Sequence, residues 1–350
     1  MRNLKMIVIN SRFLTQPVTG VQRFAIELAK ELRRANSEIV FLTPKNIIHN
    51  DVANELGAKV LGRTTGHLWE QVELYAYVRM KKALLISLCN TGPLFFKNQI
   101  VAIHDISYKI CPEWFSKRFV FFYNLLIPQL LKVSKAIVTV SNTSKKELIE
   151  KLNVPEEKIT VVYNALAPVF QKKELEKKFS GKIPIDCHYI LSVSSHHPRK
   201  NFNRLVNAFK GIEKDDLKLY IIGNVNKDFK LDKKYTSKNI IYLENIADEE
   251  LVYYYKFAKL FVFPSLYEGF GIPIIEALSQ NTKICVSDIP VFREICGENV
   301  TYFDPLDEND IKNKILKSLD NYELFSYNLS RFSWEDGAIK VLKLIKENQS

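Results

Sequence analysis

Residues 259–281 read KLFVFPSLYEGFGIPIIEALSQN, and the order of residue types within them decides the fold class. Leu260, Phe261, Val262 and Phe263 are apolar without alternation, the pattern of a strand buried on both faces of a parallel sheet. Pro264 and Ser265 end the run. Pro273 suits the start of a helix, where a missing N–H costs nothing, and Ile274, Ile275, Ala277 and Leu278 supply an apolar face, so a helix is expected from near Ile272. Gly269 and Gly271 bracket Phe270 just before that start and let backbone N–H groups approach an anion at the positive end of the helix. A diphosphate suits that position. Glu268 in the loop and Glu276 in the first turns repel phosphate and suit sugar hydroxyls. A nucleotide sugar, with phosphate in the middle and polyols on either side, meets both demands. The same pattern also serves as a helix cap with two solvated glutamates, because glycine-bearing strand, loop and helix units are common in α/β proteins.

The 350 residues around this stretch, 47% of them hydrophobic, are enough for large cores, and the length favours two domains. Near the start only residues 6–9 are continuously apolar, too few for a signal peptide, and no run approaches the ~20 apolar residues of a membrane span. The five cysteines, Cys89, Cys111, Cys187, Cys285 and Cys296, form no C-x-x-C pair, which argues for a reduced cytoplasmic setting without a zinc site. Charge is lopsided. Residues 1–175 hold 25 Lys and Arg against 14 Asp and Glu, whereas residues 176–350 hold 25 against 25. A basic half-molecule points to phosphates on nucleic acid or on an anionic membrane. No helix-turn-helix, zinc-finger or aromatic RNA-binding signature supports nucleic acid.

Residues 5–11 read as the first strand, and Val21, Phe24, Ala25, Leu28, Ala29 and Leu32 fall at helical spacing behind it. Gly20 opens that helix, making a second loop able to meet an anion; Arg23 either reaches a phosphate or is a solvated helix residue. Further strand-like runs at 38–43, 84–88, 99–104, 136–141 and 159–164 alternate with helical patterns, which implies right-handed parallel winding. His104 and Asp105 end the 99–104 run, where open α/β sheets place ligand groups. Ser144 and Glu147 read as a capping box for a helix over 145–152. Residues 113–135 are the most aromatic segment, with basic ends and Pro128 to kink a helix. They are either a core helix or a partly exposed one, lining an acceptor cleft or lying on a membrane.

Polar, lysine-rich residues then mark a linker, giving domains at 1–170 and 187–350 with the linker at 171–186. In the second domain, strands are expected at 189–193, 217–223, 239–243 and 282–287, and helices at 310–319 and 338–345. The loop SSHHPRKN places Arg199 and Lys200 at the N-terminus of a helix whose Phe202, Leu205, Val206 and Phe209 share a face. Cations at that end oppose the helix dipole, so a negative partner is expected there.

The set Glu268, Gly269, Phe270, Gly271, Pro273 and Glu276, with the second glutamate eight positions after the first, resembles the signature of the retaining glycosyltransferases of family 4. Weaker resemblance covers nearly the whole chain. It implies an α/β protein of two Rossmann-like domains facing a cleft, the GT-B fold, with the last helix packing back on the first domain. It also implies that Arg199, Lys200 and the Gly269, Phe270 and Gly271 loop hold the donor diphosphate, that Glu276 binds the ribose and that Glu268 faces the sugar. Asn245 would lie at the base, and His104 and Gly20 would reach the donor from the first domain. Departures are Thr19-Gly20 where the family often has two glycines, and Asn164-Ala165 where Asn-Gly is usual. No D-x-D occurs, so no metal or other cofactor is expected. TGVQRF and PRKN resemble bacterial surface-polysaccharide mannosyl- and rhamnosyltransferases, which suggests GDP-mannose as donor and a saccharide, lipid-linked on the inner membrane face, as acceptor. The alternatives are a nucleotide-sugar epimerase of similar fold and a non-catalytic, membrane-associated binding protein.

Overall fold

The computed structural model describes residues 6–171, 188–223, 237–298, 300–320 and 327–349. Contacts divide the chain into one unit of Met1–Ala165 with Phe332–Ser350 and a second of Leu166–Arg331. Most of the linker expected at 171–186 lies outside the described residues.

In the first unit seven parallel strands form one sheet: β1 (Ile7–Asn10), β2 (Val40–Thr43), β3 (Lys59–Val60), β4 (Leu84–Ser87), β5 (Gln99–Ala102), β6 (Ala136–Thr139) and β7 (Ile159–Val161), in the order β3-β2-β1-β4-β5-β6-β7. The chain winds outward from β1 to β3, returns to place β4 beside β1, and winds the other way. The order therefore reverses between β1 and β4, and such reversals leave a crevice at the carboxyl ends of the strands. Strand β4 is buried at every position, as its unbroken Leu-Leu-Ile-Ser requires of a central strand covered on both faces.

The second unit repeats the scheme with β8 (His188–Val193), β9 (Leu217–Ile222), β10 (Ile240–Leu243), β11 (Leu260–Phe263), β12 (Ile284–Ser287) and β13 (Thr301–Phe303), ordered β10-β9-β8-β11-β12-β13. Its reversal lies between β8 and β11, which pair Ile190 with Leu260 and Leu191 with Phe261. Helix Phe202–Lys210 buries Phe202, Leu205, Val206, Ala208 and Phe209 against Ile190, Leu219 and Val262. Full burial of a side chain such as Leu205 contributes roughly 1.5–3 kcal/mol.

Three local expectations are corrected. Strands β3 and β13 were not anticipated, because Lys59–Val60 is a two-residue exposed edge and Thr301–Phe303 is a three-residue edge with one buried position. The helix expected over 145–152 runs Asn142–Leu152, and its cap is Ser141, whose side chain accepts from the Ser144 N–H at 2.9 Å. The pair Arg199 and Lys200 lies in a 3-10 turn, Pro198–Lys200, and Asn201 (φ 58°) precedes the helix proper. Helix Trp334–Asn348 belongs to the first unit, where the resemblance implied that the last helix packs. There it packs on helix Gly20–Ala35, with Gly337 close against Val162 and Trp334 edge-on to Phe24 at 5.8 Å.

Candidate functional site

The site in the second unit grows from its two central strands. Strand β8 leads into the loop carrying His197, Arg199, Lys200 and Asn201, and β11 leads into the loop from Pro264 to Gly271. Because the strands are parallel neighbours, both loops leave the same edge, and they are tied together there. The Leu266 N–H donates to the Arg199 carbonyl at 2.8 Å, while Asn201 Nδ2 donates to the carbonyls of Pro264 at 3.1 Å and Pro305 at 2.7 Å. A left-handed asparagine is a low-strain way to turn the chain sharply before a helix.

Glu268 sits at the centre, with only 8% of its surface exposed. Arg199 Nη1 donates to its Oε2 at 3.0 Å, Lys200 Nζ pairs with Oε1, and the Ser265 hydroxyl donates to Oε1 at 2.8 Å. Burial by itself would raise the Glu268 pKa, but the charges of Arg199 and Lys200 and the bonds from Lys200 and Ser265 outweigh it and hold the carboxyl below its ordinary range. The negative partner expected for the two cations is, in this structure, Glu268. Lys200 is itself buried, with its ammonium 5.4 Å from the centre of the Phe263 ring. Burial first, and then the neighbouring Arg199 and Lys200, push His197 down to about 4, so its ring is neutral and Nδ1 accepts from the Arg199 N–H.

Gly271 caps helix Ile272–Ser279 at φ 113°, and a Cβ there would lie 3.0 Å from Phe292 Cε1. Phe270 is buried, so its ring is a packing group of the loop. Glu276 is also buried, and its Oε2 accepts from the Tyr255 hydroxyl at 2.9 Å. Burial, reinforced by that carboxylate, drives the Tyr255 pKa well above 10.0, so the phenol remains a donor. Asn245 is exposed, left-handed at φ 56°, and follows β10, two strands away from β8. The structure thus joins Arg199, Lys200 and Glu268 directly, places Gly269 to Gly271 on the same loop as Glu268, and sets Glu276 against Tyr255. Sequence reasoning missed Ser265, Asn201, His197 as a neutral acceptor, and Tyr255. Only the polar residue three positions before Glu268 offered a sequence signal.

The other two candidates belong to the first unit. Gly20 is the exposed first residue of helix Gly20–Ala35, whose preceding Thr19 N–H donates to Gln22 Oε1 at 3.2 Å. His104 lies just beyond β5, buried edge-on against Phe24 at 4.7 Å, with Nε2 2.9 Å from the Leu88 carbonyl and its backbone N–H donating to Asn90 Oδ1. Burial lowers its pKa more than the Leu88 carbonyl and Asp105 raise it. Phe24 therefore links the His104 ring to the helix that Gly20 begins.

The sequence profile described as Glycosyl transferases group 1 matches residues 173–348, and that described as Glycosyltransferase Family 4 matches residues 18–168. The chain is 28% identical to the O-antigen chain mannosyltransferase RfbU of Salmonella typhimurium, over 93% of this chain and 94% of that protein. It is 27% identical to the O-antigen chain mannosyltransferase B of Escherichia coli, over 97% and 99% of the two chains. The sucrose-phosphate synthase of Thermosynechococcus elongatus has a similar fold, with a TM-score of 0.74 at 17% identity over 98% of each chain.

Proposed function

Since the chain belongs to the glycosyltransferases of group 1 and family 4, it is a transferase with the GT-B pair of parallel-sheet units, and we propose that it moves a mannosyl group from GDP-mannose to a saccharide acceptor in O-antigen synthesis. The observation that carries this reading is the cluster of half-buried Arg199 with buried Lys200, Glu268 and Ser265 at the β8–β11 reversal. There two preorganised cations and the start of helix Ile272–Ser279 suit a diphosphate. The sugar and the pathway come from the relatives, which are O-antigen chain mannosyltransferases over nearly their whole length.

In this reading an arriving diphosphate takes up the charge of Arg199 and Lys200 that Glu268 otherwise neutralises. Glu268 then turns to the sugar and Glu276 to the ribose hydroxyls. The bond from the anomeric carbon to the diphosphate oxygen breaks, and its electron pair passes to the nucleotide diphosphate, where both cations stabilise the new charge. The acceptor oxygen bonds to the same face of the anomeric carbon, giving retention, and its proton leaves to the departing diphosphate. The protein side chains neutralise the diphosphate without a metal ion.

A panel of nucleotide sugars screened by thermal shift tests the donor, because ligand at ~100 times its Kd adds about 2.7 kcal/mol of stability. GDP-mannose is expected to give the largest shift, and labelled mannose is expected to reach an acceptor in the presence of EDTA. A larger shift with another donor removes the mannose assignment, loss of transfer that magnesium or manganese restores removes the charge assignment, and conversion of the donor without acceptor points to an epimerase.

A further inference from the structure

Helix Asp248–Phe257 carries Tyr255, which is fully buried in the second unit. Phe170, in the 3-10 turn Pro168–Gln171, meets the Tyr255 ring edge-on at 6.0 Å, and Phe261 of β11 does so at 5.4 Å. The backbone around the ring is pinned as well, because Thr282 Oγ1 donates to the Tyr255 carbonyl at 2.7 Å and Gln280 Nε2 donates to the Phe170 carbonyl at 3.2 Å. Phenylalanine would fill this setting without burying a hydroxyl, so the phenol oxygen calls for a function of its own. That oxygen donates to Glu276 Oε2 at 2.9 Å and joins helix Asp248–Phe257 to helix Ile272–Ser279.

The chemistry of the two groups divides their roles. Burial, then the neighbouring carboxylate, keep the phenol protonated. It has one hydrogen and spends it on Oε2, whereas a carboxylate offers about four acceptor directions across its two oxygens and keeps capacity for other donors. Exposure separates the pair further. Glu276 retains 8% of its surface and Tyr255 none, so a ligand can touch the carboxylate but not the phenol. A glutamate loses rotamer freedom when it is held in one geometry, and with the phenol in place that loss is met on folding and not on ligand binding.

We propose that Tyr255 is a positioning residue for donor recognition: its hydroxyl holds the Glu276 carboxylate in the orientation that accepts from the ribose hydroxyls. The inference rests on the reading of Glu276 as the ribose ligand and deepens it by naming what fixes that carboxylate. Phe170 acts one step further out, through the Tyr255 ring. Discrimination between ribose and a sugar without its hydroxyls then depends on a side chain that no ligand touches.

The test is titration calorimetry of the full chain with GDP and UDP and with the 2′,3′-dideoxy form of each. The wild-type chain is expected to bind one ribonucleotide at least about tenfold more tightly than its dideoxy form. Tyr255→Phe keeps the ring and is expected to narrow that ratio to about threefold or less by weakening the ribonucleotide alone. A merely structural role would weaken both forms equally and leave the ratio where it was. Phe170→Leu keeps the phenol but loosens its ring, so it is expected to lower the ratio in the same direction and decides the matter if Tyr255→Phe does not fold. An unchanged ratio in Tyr255→Phe, or in Phe170→Leu where that variant stands in for it, overturns the proposal. Glu276→Gln separates the two readings: if it removes the ratio while Tyr255→Phe preserves it, the ribose assignment stands without Tyr255. A wild-type chain that shows no ratio, or binds neither nucleotide, overturns both.

Discussion

Glu268 and Glu276 are both buried carboxylates of the second unit, yet their partners make them different groups. Glu268 is held charged by two cations, so its folded pKa lies below the ordinary 4.5. A depressed carboxyl contributes stability that is fully present above the unfolded pKa and is lost as pH falls through the folded value. Urea midpoints of the wild-type chain are therefore expected to drop below pH 4.5 more steeply than those of Glu268→Gln, whose amide does not titrate. Parallel curves for the two would remove the ion cluster. Glu276 instead accepts from a phenol, so Glu276→Gln keeps the volume and a partner for Tyr255 while losing the charge. With charge-assisted bonds to ribose worth ~1.5–3 kcal/mol, nucleotide affinity is expected to fall at least about tenfold with little change in the urea midpoint. Unchanged affinity would detach Glu276 from the ribose.

At the scale of the element, the loop between β11 and helix Ile272–Ser279 depends on one backbone conformation. Gly271 at φ 113° lies where side-chain-bearing residues are strained, and an added Cβ would press on Phe292 at 3.0 Å and Ile274 Cδ1 at 3.3 Å. Gly271→Ala is expected to cost ~1–3 kcal/mol in urea unfolding and to move the loop that carries Glu268. A variant as stable as the wild type, with unchanged nucleotide affinity, would show that the loop tolerates another path. The pattern of residue types foretold this strand, loop and helix closely, because buried runs, glycine and proline act locally. It did not foretell that Asn201 and the Arg199 carbonyl clamp the neighbouring loop, since those bonds join residues more than sixty positions apart.

For the whole molecule, the basic excess of residues 1–175 gains a structural counterpart in helix Lys117–Val133. Its second half buries Leu126, Ile127, Leu130 and Leu131, but Phe121 and Leu125 are 69% and 61% exposed, close in sequence to Lys117 and Arg118. The segment combines both readings of residues 113–135, half core and half exposed. Among the described residues no helix is long and apolar enough to cross a membrane. We propose that this face docks on an anionic bilayer, where each basic residue near the surface contributes about 1 kcal/mol. Flotation should recover the chain with anionic liposomes at low salt and release it at high salt, and Phe121→Asp with Leu125→Asp should weaken recovery. Equal recovery with neutral and anionic liposomes, or none with either, would remove membrane docking and leave glycosyl transfer standing.

The amino-acid order alone determined the class of fold, the alternation of strands and helices, and the loops that carry the donor candidates, because hydrophobic periodicity, glycine and proline report on their immediate neighbours. Tertiary structure alone decided which charges meet. It paired Arg199 and Lys200 with Glu268, gave Glu276 to Tyr255, and gathered Asn10, Arg12, Glu70 and Thr91 at one sheet edge. The physical reason is common to all these cases. Burial and ion pairing act between groups brought together by strand order, and strand order in a parallel sheet is set by crossovers that place residues far apart in the chain side by side.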